Sequence, residues 1–248
     1  MPSLFAPIST RSCPPIAWIA AWLAAYLACT LTAQPVSGQP LPDALAGYRA
    51  ATAPPAAGHE PGSGNLQFVQ NKGQWPESVR FAAEVSGGRV FIENGGFTWN
   101  FLDHSALQHH DENPSSPLPR PSRGHAFKVA FVGANSAPEA VGEETRTFHH
   151  NYFNDPDPAH WARQAAVHGS GRLLALYPGV DLRVYSQGST FKYDLELNPG
   201  VDPSVIRIRH EGLDQVQLVQ GNLELTTSIN KVVEVAPYAY QLENGIQV

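Results

Sequence analysis

From Asn65 onward, apolar and polar residues alternate one by one in short runs, and each run stops at Gly, Pro, Asn or Asp. This rhythm constrains the fold more than any other feature of the chain. A period of two sends successive side chains to opposite faces of an extended backbone, so such a run buries one face only as a strand. In "RVFIENGGFTWNF", residues 89–101, Phe97, Trp99 and Phe101 share one face, and Thr98 and Asn100 share the other. In "HAFKVAFVG", residues 125–133, Phe127, Val129 and Phe131 alternate with Ala126, Lys128 and Ala130. Phe191, Tyr193, Leu195 and Leu197 form an apolar stripe opposite Lys192, Asp194 and Glu196. No helical period of useful length interrupts the pattern. A hydrophobic content of 42% is enough for a core, and 21 Gly and 22 Pro supply turns beyond the ordinary share. The expectation over residues 65–248 is an all-β domain, antiparallel and sandwich-like, in one or two packed lobes.

The turns can be placed residue by residue. Asn94-Gly95 predicts a two-residue hairpin with both central residues at positive φ. Pro178-Gly179 fits a type II turn, Pro setting φ and Gly accepting a positive value. Gln187-Gly188-Ser189, Pro199-Gly200 and Gln220-Gly221-Asn222 are further reversals. Pro-Gly-Val-Asp occurs at 178–181 and again at 199–202, too short a match for an internal repeat. Residues 111–124, "DENPSSPLPRPSRG", read as a surface loop broken by proline. Near the start of the patterned region lies "NKGQW", residues 71–75. Asn71-Lys72-Gly73 turns the chain after Leu66 and Phe68. Trp75, held extended by Pro76, is expected to pin the ordered chain onto the core. Strand-like sequence runs to Val248, so the natural polypeptide is expected to continue.

The N-terminus carries a different signal. Arg11 precedes "IAWIAAWLAAYLA", residues 16–28, an apolar run of export-leader length and too short to span a bilayer comfortably. Leu31-Thr32-Ala33 offers a small-residue cleavage site. Residues 1–33 are therefore read as a signal peptide and 34–64, rich in Ala, Pro and Gly, as a linker. Cleavage after Ala33 would remove Cys13 and Cys29, leaving no thiol for a disulfide, a nucleophile or a cysteine-zinc site. A variant makes Cys29 of "YLACT" a lipid anchor. A net charge of −6, with both signs dispersed and no basic run, disfavours a nucleic-acid or anionic-membrane partner.

Candidate chemistry is sparse. Asp194 and Glu196, two apart on a strand, would project from one face about 7 Å apart, a spacing suited to an inverting glycosidase. The same residues also read as the wet face of an amphipathic strand, paired with Arg207 and Arg209. His104, His109, His110 and His125 surround the proline loop, and His149-His150 precede "NYF". Adjacent histidines on a strand point apart, and HExxH is missing from the sequence, so exposed or capping roles are expected. Asn154, Asp155 and Asp157 could hold Ca²⁺ in a tight loop, but they also suit a turn leading into a short helix with Pro156 or Pro158 early and Trp161 on it. Ser170 in "HGSGR" is ordinary loop material, and the sequence carries no Gly-x-Ser-x-Gly, Walker loop or dinucleotide fingerprint. The reading assigns no catalytic, cofactor or metal residue.

Taken in order, "FVQNKGQW", "VRFAAEVSGGRVFIENGGFTWNF", "HAFKVAFVGAN", "NYFNDPDPAHW", "LYPGVDLRVYSQGSTFKYDLELNPGVDPSVIRIRHEG" and "APYAYQ" resemble an uncharacterised N-terminal domain of large secreted bacterial surface proteins. In that family the domain commonly precedes β-propeller-type repeats, PKD modules and a sorting signal for gliding-type (type nine) secretion. The resemblance covers about residues 65–244. It implies cell-surface or extracellular display, a non-catalytic structural or adhesion role, and the following repeats of the same polypeptide as partners, with extracellular glycans or proteins beyond them. It transfers no catalytic residue. The rival expectations are a carbohydrate-binding module using Trp75, Trp99 or Trp161, and a hydrolase using Asp194, Glu196 or a histidine.

Overall fold

The computed structural model describes residues 24–35, 64–103, 123–153, 155–243 and 246–247. They form two antiparallel sheets. The first has ten strands: β1 (Ala24–Pro35), β7 (Glu139–Glu143), β10 (Ser170–Tyr177), β11 (Val180–Gln187), β12 (Thr190–Leu197), β14 (Gln215–Val219), β15 (Asn222–Thr226), β16 (Asn230–Glu234), β17 (Tyr238–Glu243) and β18 (Ile246–Gln247). Its order is β14-β15-β16-β1-β12-β11-β10-β7, with β17 beside β1 and β18 beside β17. The second has eight strands: β2 (Phe68–Gln70), β3 (Val79–Val85), β4 (Gly88–Glu93), β5 (Gly96–Leu102), β6 (Gly124–Phe131), β8 (His149–Tyr152), β9 (Ala162–His168) and β13 (Ile208–Glu211). Its order is β13-β6-β5-β4-β3-β2-β9-β8. The end of the segment read as an export leader therefore appears as β1, in the interior of the first sheet.

The inward faces follow the two-residue rhythm. Phe97, Trp99 and Phe101 of β5 are buried, beside Val90 and Ile92 of β4 and Phe127 and Val129 of β6. Against them stand Leu182 and Val184 of β11 and Phe191, Tyr193 and Leu195 of β12. The rings interlock across the sheets: Phe97 lies 5.3 Å from Phe191 and 5.2 Å from Tyr193, and Trp99 meets Phe191 edge-on at 5.3 Å. These residues form one continuous cluster, so the fold is a single sandwich and not two lobes. Each such side chain contributes about 1.5–3 kcal/mol by leaving water.

The turns separate into confirmed and corrected. Pro178-Gly179 joins β10 to β11 with Gly179 at φ 74°, as a type II turn requires. Asn94-Gly95 does join β4 to β5 as a two-residue loop, but neither residue has positive φ. The constraint moves to Gly96, where a Cβ would run into the carbonyl oxygen of Val129 on β6. The hairpin with both central residues at positive φ is instead Gln220-Gly221, at 50° and 86°, joining β14 to β15. β14 forms an edge of the first sheet, with Leu218 at 73% exposure.

Candidate functional site

The "NKGQW" segment is organised by one side chain. After β2, Asn71 Oδ1 accepts from the backbone N–H of Gly73 at 3.0 Å and of Trp75 at 3.3 Å. Its Nδ2 donates to the carbonyls of Trp75, Pro76 and Val79 at 3.1, 2.9 and 2.9 Å. Gln74 completes the knot, accepting from Lys72 N–H and donating to Gln70 O. An amide carries both donors and an acceptor, so it can replace backbone pairing on both sides of a tight loop. The knot folds the loop back over the outer face of the second sheet. Trp75 there covers Val69, Val79, Ala82, Phe91, Ala165 and Val167. The expectation that Trp75 pins the chain onto the main core is thus corrected: it is half-buried on the opposite face of the sheet.

Trp75 belongs to an aromatic row. It meets Phe91 edge-on at 5.8 Å and Tyr152 at 5.3 Å, with the Arg89 guanidinium 5.8 Å above its ring. His150 of β8 and the exposed Phe148 just before it continue the row, with ring centroids 6.3 Å from Tyr152 to His150 and 6.2 Å from His150 to Phe148. Beside the knot is an open cleft of about 560 Å³, lined by Lys72, Trp75, Glu77, Arg80 and Glu139 among others.

The outer face of the first sheet is a lattice of charges. Arg172 on β10 donates through Nε to Glu143 on β7 at 2.6 Å, and both terminal nitrogens grip Glu196 on β12. Arg183 on β11 reaches Glu143 at 3.2 Å, and Ser170 donates to the same carboxylate at 2.9 Å. Partial burial pushes the Glu143 carboxyl up, but the hydrogen bonds from Arg172 and Ser170 and the charges of Arg172 and Arg183 outweigh it, holding the group below the ordinary range. Hydrogen bonding to Glu196, then to Glu143, raises the pKa of Arg172 despite some desolvation. Asp194 is only 5% exposed and accepts from Tyr185 Oη at 3.1 Å. Burial pushes its pKa up, and Tyr185 and Arg183 offset this only in part. Burial, then the charge and hydrogen bond of Asp194, push the Tyr185 phenol up to about 12.

Asp194 and Glu196 therefore do share a face, as their spacing predicts, but their expected partners are corrected. Arg207 and Arg209 lie beyond reach because β13 joins the other sheet, beside β6, where Arg209 pairs with Glu211. Ser170 is buried against Glu143. Asp155 and Asp157 build a turn: Asp155 Oδ1 accepts from Asp157 N–H, and Asp157 caps the single 3-10 turn Pro158–His160 by accepting from Ala159 N–H at 2.9 Å. Trp161, directly after this turn, is 39% exposed and donates to Asp155 O at 2.7 Å. Trp99 is buried in the core, and its Nε1 has no hydrogen-bond partner among the described residues. His149 is exposed. His104, His109, His110 and Asn154 lie outside the described residues, as does most of the proline loop.

Residues 68–248 match the family described as a domain of unknown function, DUF7948. The chain belongs to the DUF7948 family. No curated protein and no solved structure matches it.

In this DUF7948 domain His125 departs from the exposed or capping role expected of it, and His168 and His210, for which the sequence reading assigned no role, are also tied into the fold. His125, buried, accepts at Nδ1 from Ser228 N–H at 3.1 Å and donates from Nε2 to Gly212 O at 2.7 Å, which fixes its neutral tautomer. His210 Nε2 lies 2.8 Å from Glu234, whose other oxygen accepts from Tyr193 Oη at 2.7 Å. This chain of three ties β13 of one sheet to β16 and β12 of the other. His168, buried beside Phe81 and Thr145, has its pKa lowered by desolvation. A signal existed for the first two: His125 is in phase with Phe127 and Val129, and Glu234 with Val232, so each puts a polar group on an apolar face.

Proposed function

We propose that this DUF7948 domain is a non-catalytic module of an exported bacterial protein. It is displayed at the cell surface in a structural or adhesive role and caps repeat domains that follow in the same polypeptide. One observation carries the reading. The carboxylates best placed for chemistry, Glu143, Asp194 and Glu196, are engaged by Arg172, Arg183 and Tyr185 across the outer face of a sheet. A hydrolase needs one of two acids free to protonate a leaving group in a cleft. Guanidinium-bound carboxylates serve instead as a rigid charged wall. The exposed edge strand β14 supports docking of a neighbouring domain, since an unpaired strand edge invites addition of another.

The test is protease shaving of intact cells carrying a C-terminally tagged chain. The tag is expected to be lost without lysis, and Glu196→Gln is expected to leave surface retention unchanged. A tag protected until the cells are broken would reject display, and hydrolysis of a glycan panel that Glu196→Gln abolishes would reject the non-catalytic reading.

The aromatic row of Phe148, His150, Tyr152 and Trp75 favours a second reading, a carbohydrate-binding face, because sugar rings stack on such side chains. A glycan array with Phe148→Ala and Tyr152→Ala as controls separates the two.

A further inference from the structure

β1 occupies the middle of the first sheet, flanked on one side by β12 and on the other by β17 and β16 end to end. Its register sets Ala25, Leu27, Cys29 and Leu31 opposite Leu197, Leu195, Tyr193 and Phe191, and these four residues of β12 are buried in the shared core. On the other edge, Ala24 to Ala28 stand opposite Leu242 to Tyr238, and Leu31 to Pro35 opposite Glu234 to Asn230. The same residues are, by sequence, the end of an export leader and its cleavage site. Removal of residues 1–33 leaves only Gln34 and Pro35 of this strand in the mature chain.

What cleavage leaves behind is a slot one strand wide, roughly 9–10 Å between its walls. Each wall presents a row of backbone N–H and C=O groups without a ladder partner, and the floor is the apolar core. Unpaired backbone beside an open core is costly and prone to promiscuous pairing. This chain has poor material of its own to refill the slot. Residues 36–63 are broken by prolines and have no apolar alternation, residues 104–122 are polar and proline-rich, and the other described strands already pair within the two sheets.

We propose that the leader strand fills this slot only in the unprocessed chain, and that the mature domain accepts there a strand from outside these 248 residues. The accepted strand runs antiparallel to β12 and is free of proline over at least the stretch that faces Phe191 to Leu197. It is apolar at the alternate positions facing Phe191, Tyr193, Leu195 and Leu197. This proposal rests on the export-leader reading in the proposed function.

The experiment uses the full chain with a site-specific protease sequence inserted between residues 36 and 63, cut after folding. A fluorescent peptide of residues 24–35 is then added in excess. The peptide is expected to displace the leader piece and to be retained at one per chain. The same peptide carrying Leu27→Pro and Leu31→Pro is expected to bind at least about 100-fold more weakly, because each proline removes a ladder donor. Hydrogen exchange at residues 191–197 is expected to slow when peptide is bound. Equal retention of both peptides, or exchange at 191–197 indifferent to occupancy, overturns the slot. Mass spectrometry of protein recovered from outside the cell tests the leader separately. An N-terminus at Gln34 supports processing, whereas an intact Met1 sinks the leader reading even where peptide exchange succeeds. A processed chain that is dimeric by light scattering, with residues 191–197 protected, would make a second copy the donor and overturn the outside source.

Discussion

Trp75→Ala tests the outer hydrophobic layer directly. An aromatic side chain of this kind buries about 150–250 Å². The lower figure suits Trp75, one side of which faces water. At about 25 cal/mol per Å² it corresponds to nearly 4 kcal/mol. Compactness of the unfolded chain trims this by roughly 10–40%. The expected loss is therefore about 3 kcal/mol, including the edge contacts with Phe91 and Tyr152. For a domain of this size that lowers Tm by roughly 6–12 °C. Urea unfolding followed by circular dichroism is the assay, with the midpoint falling and the slope m unchanged. A double-mutant cycle with Phe91→Ala should return a coupling of about 0.5–1.5 kcal/mol. A loss below about 1 kcal/mol would refute the packing argument. Unchanged stability together with lost glycan retention would mean that the indole serves a ligand and not the fold.

Three further outcomes are expected. Gly142→Ala places a methyl group against the buried His168 imidazole and should cost about 1–3 kcal/mol, with much of the loss absent when His168 is already alanine; calorimetry of the single and double variants checks this. Trp99→Phe should stay within about 1 kcal/mol of the parent, because the indole N–H it removes has no partner among the described residues, whereas Trp99→Ala should cost about 3–5 kcal/mol in the same unfolding assay. The folded Tyr185 phenol titrates above the unfolded value of 10, so its contribution is intact below pH 10 and is lost as pH rises from 10 through about 12. Tyr185→Phe should flatten that alkaline limb and remove a tyrosine titrating near pH 12 from the ultraviolet difference spectrum.

The sheets were legible where the code is local. Phe97, Trp99 and Phe101 declare a buried face because side-chain direction depends only on their spacing. Thr98, on the opposite face, is also buried, beside Glu93, which accepts its hydroxyl, and Lys128, which pairs with that acid. Nothing in the strand itself records that these two side chains lie there. Strand order was equally hidden. Glu196 is held by Arg172 because β10 and β11 follow on from β12 in the sheet, while Arg209 departs with β13 to the other sheet. The turn at Asn94-Gly95 was located by its residues, but its dihedrals were set by the approach of β6 to Gly96. The polar ties of His125 and His210 could have been suspected from phase alone, but their partners come from strands distant in sequence.

The placement of β1 has a kinetic consequence. Leu31 lies between Phe191 and Glu234, so its strand cannot be built in before the chain has been synthesised at least as far as Glu234. Contacts so remote in sequence form late, after the entropy of closing very large loops has been met. Insertion of β1 between β12 on one side and β16 and β17 on the other is thereby the step that closes the first sheet.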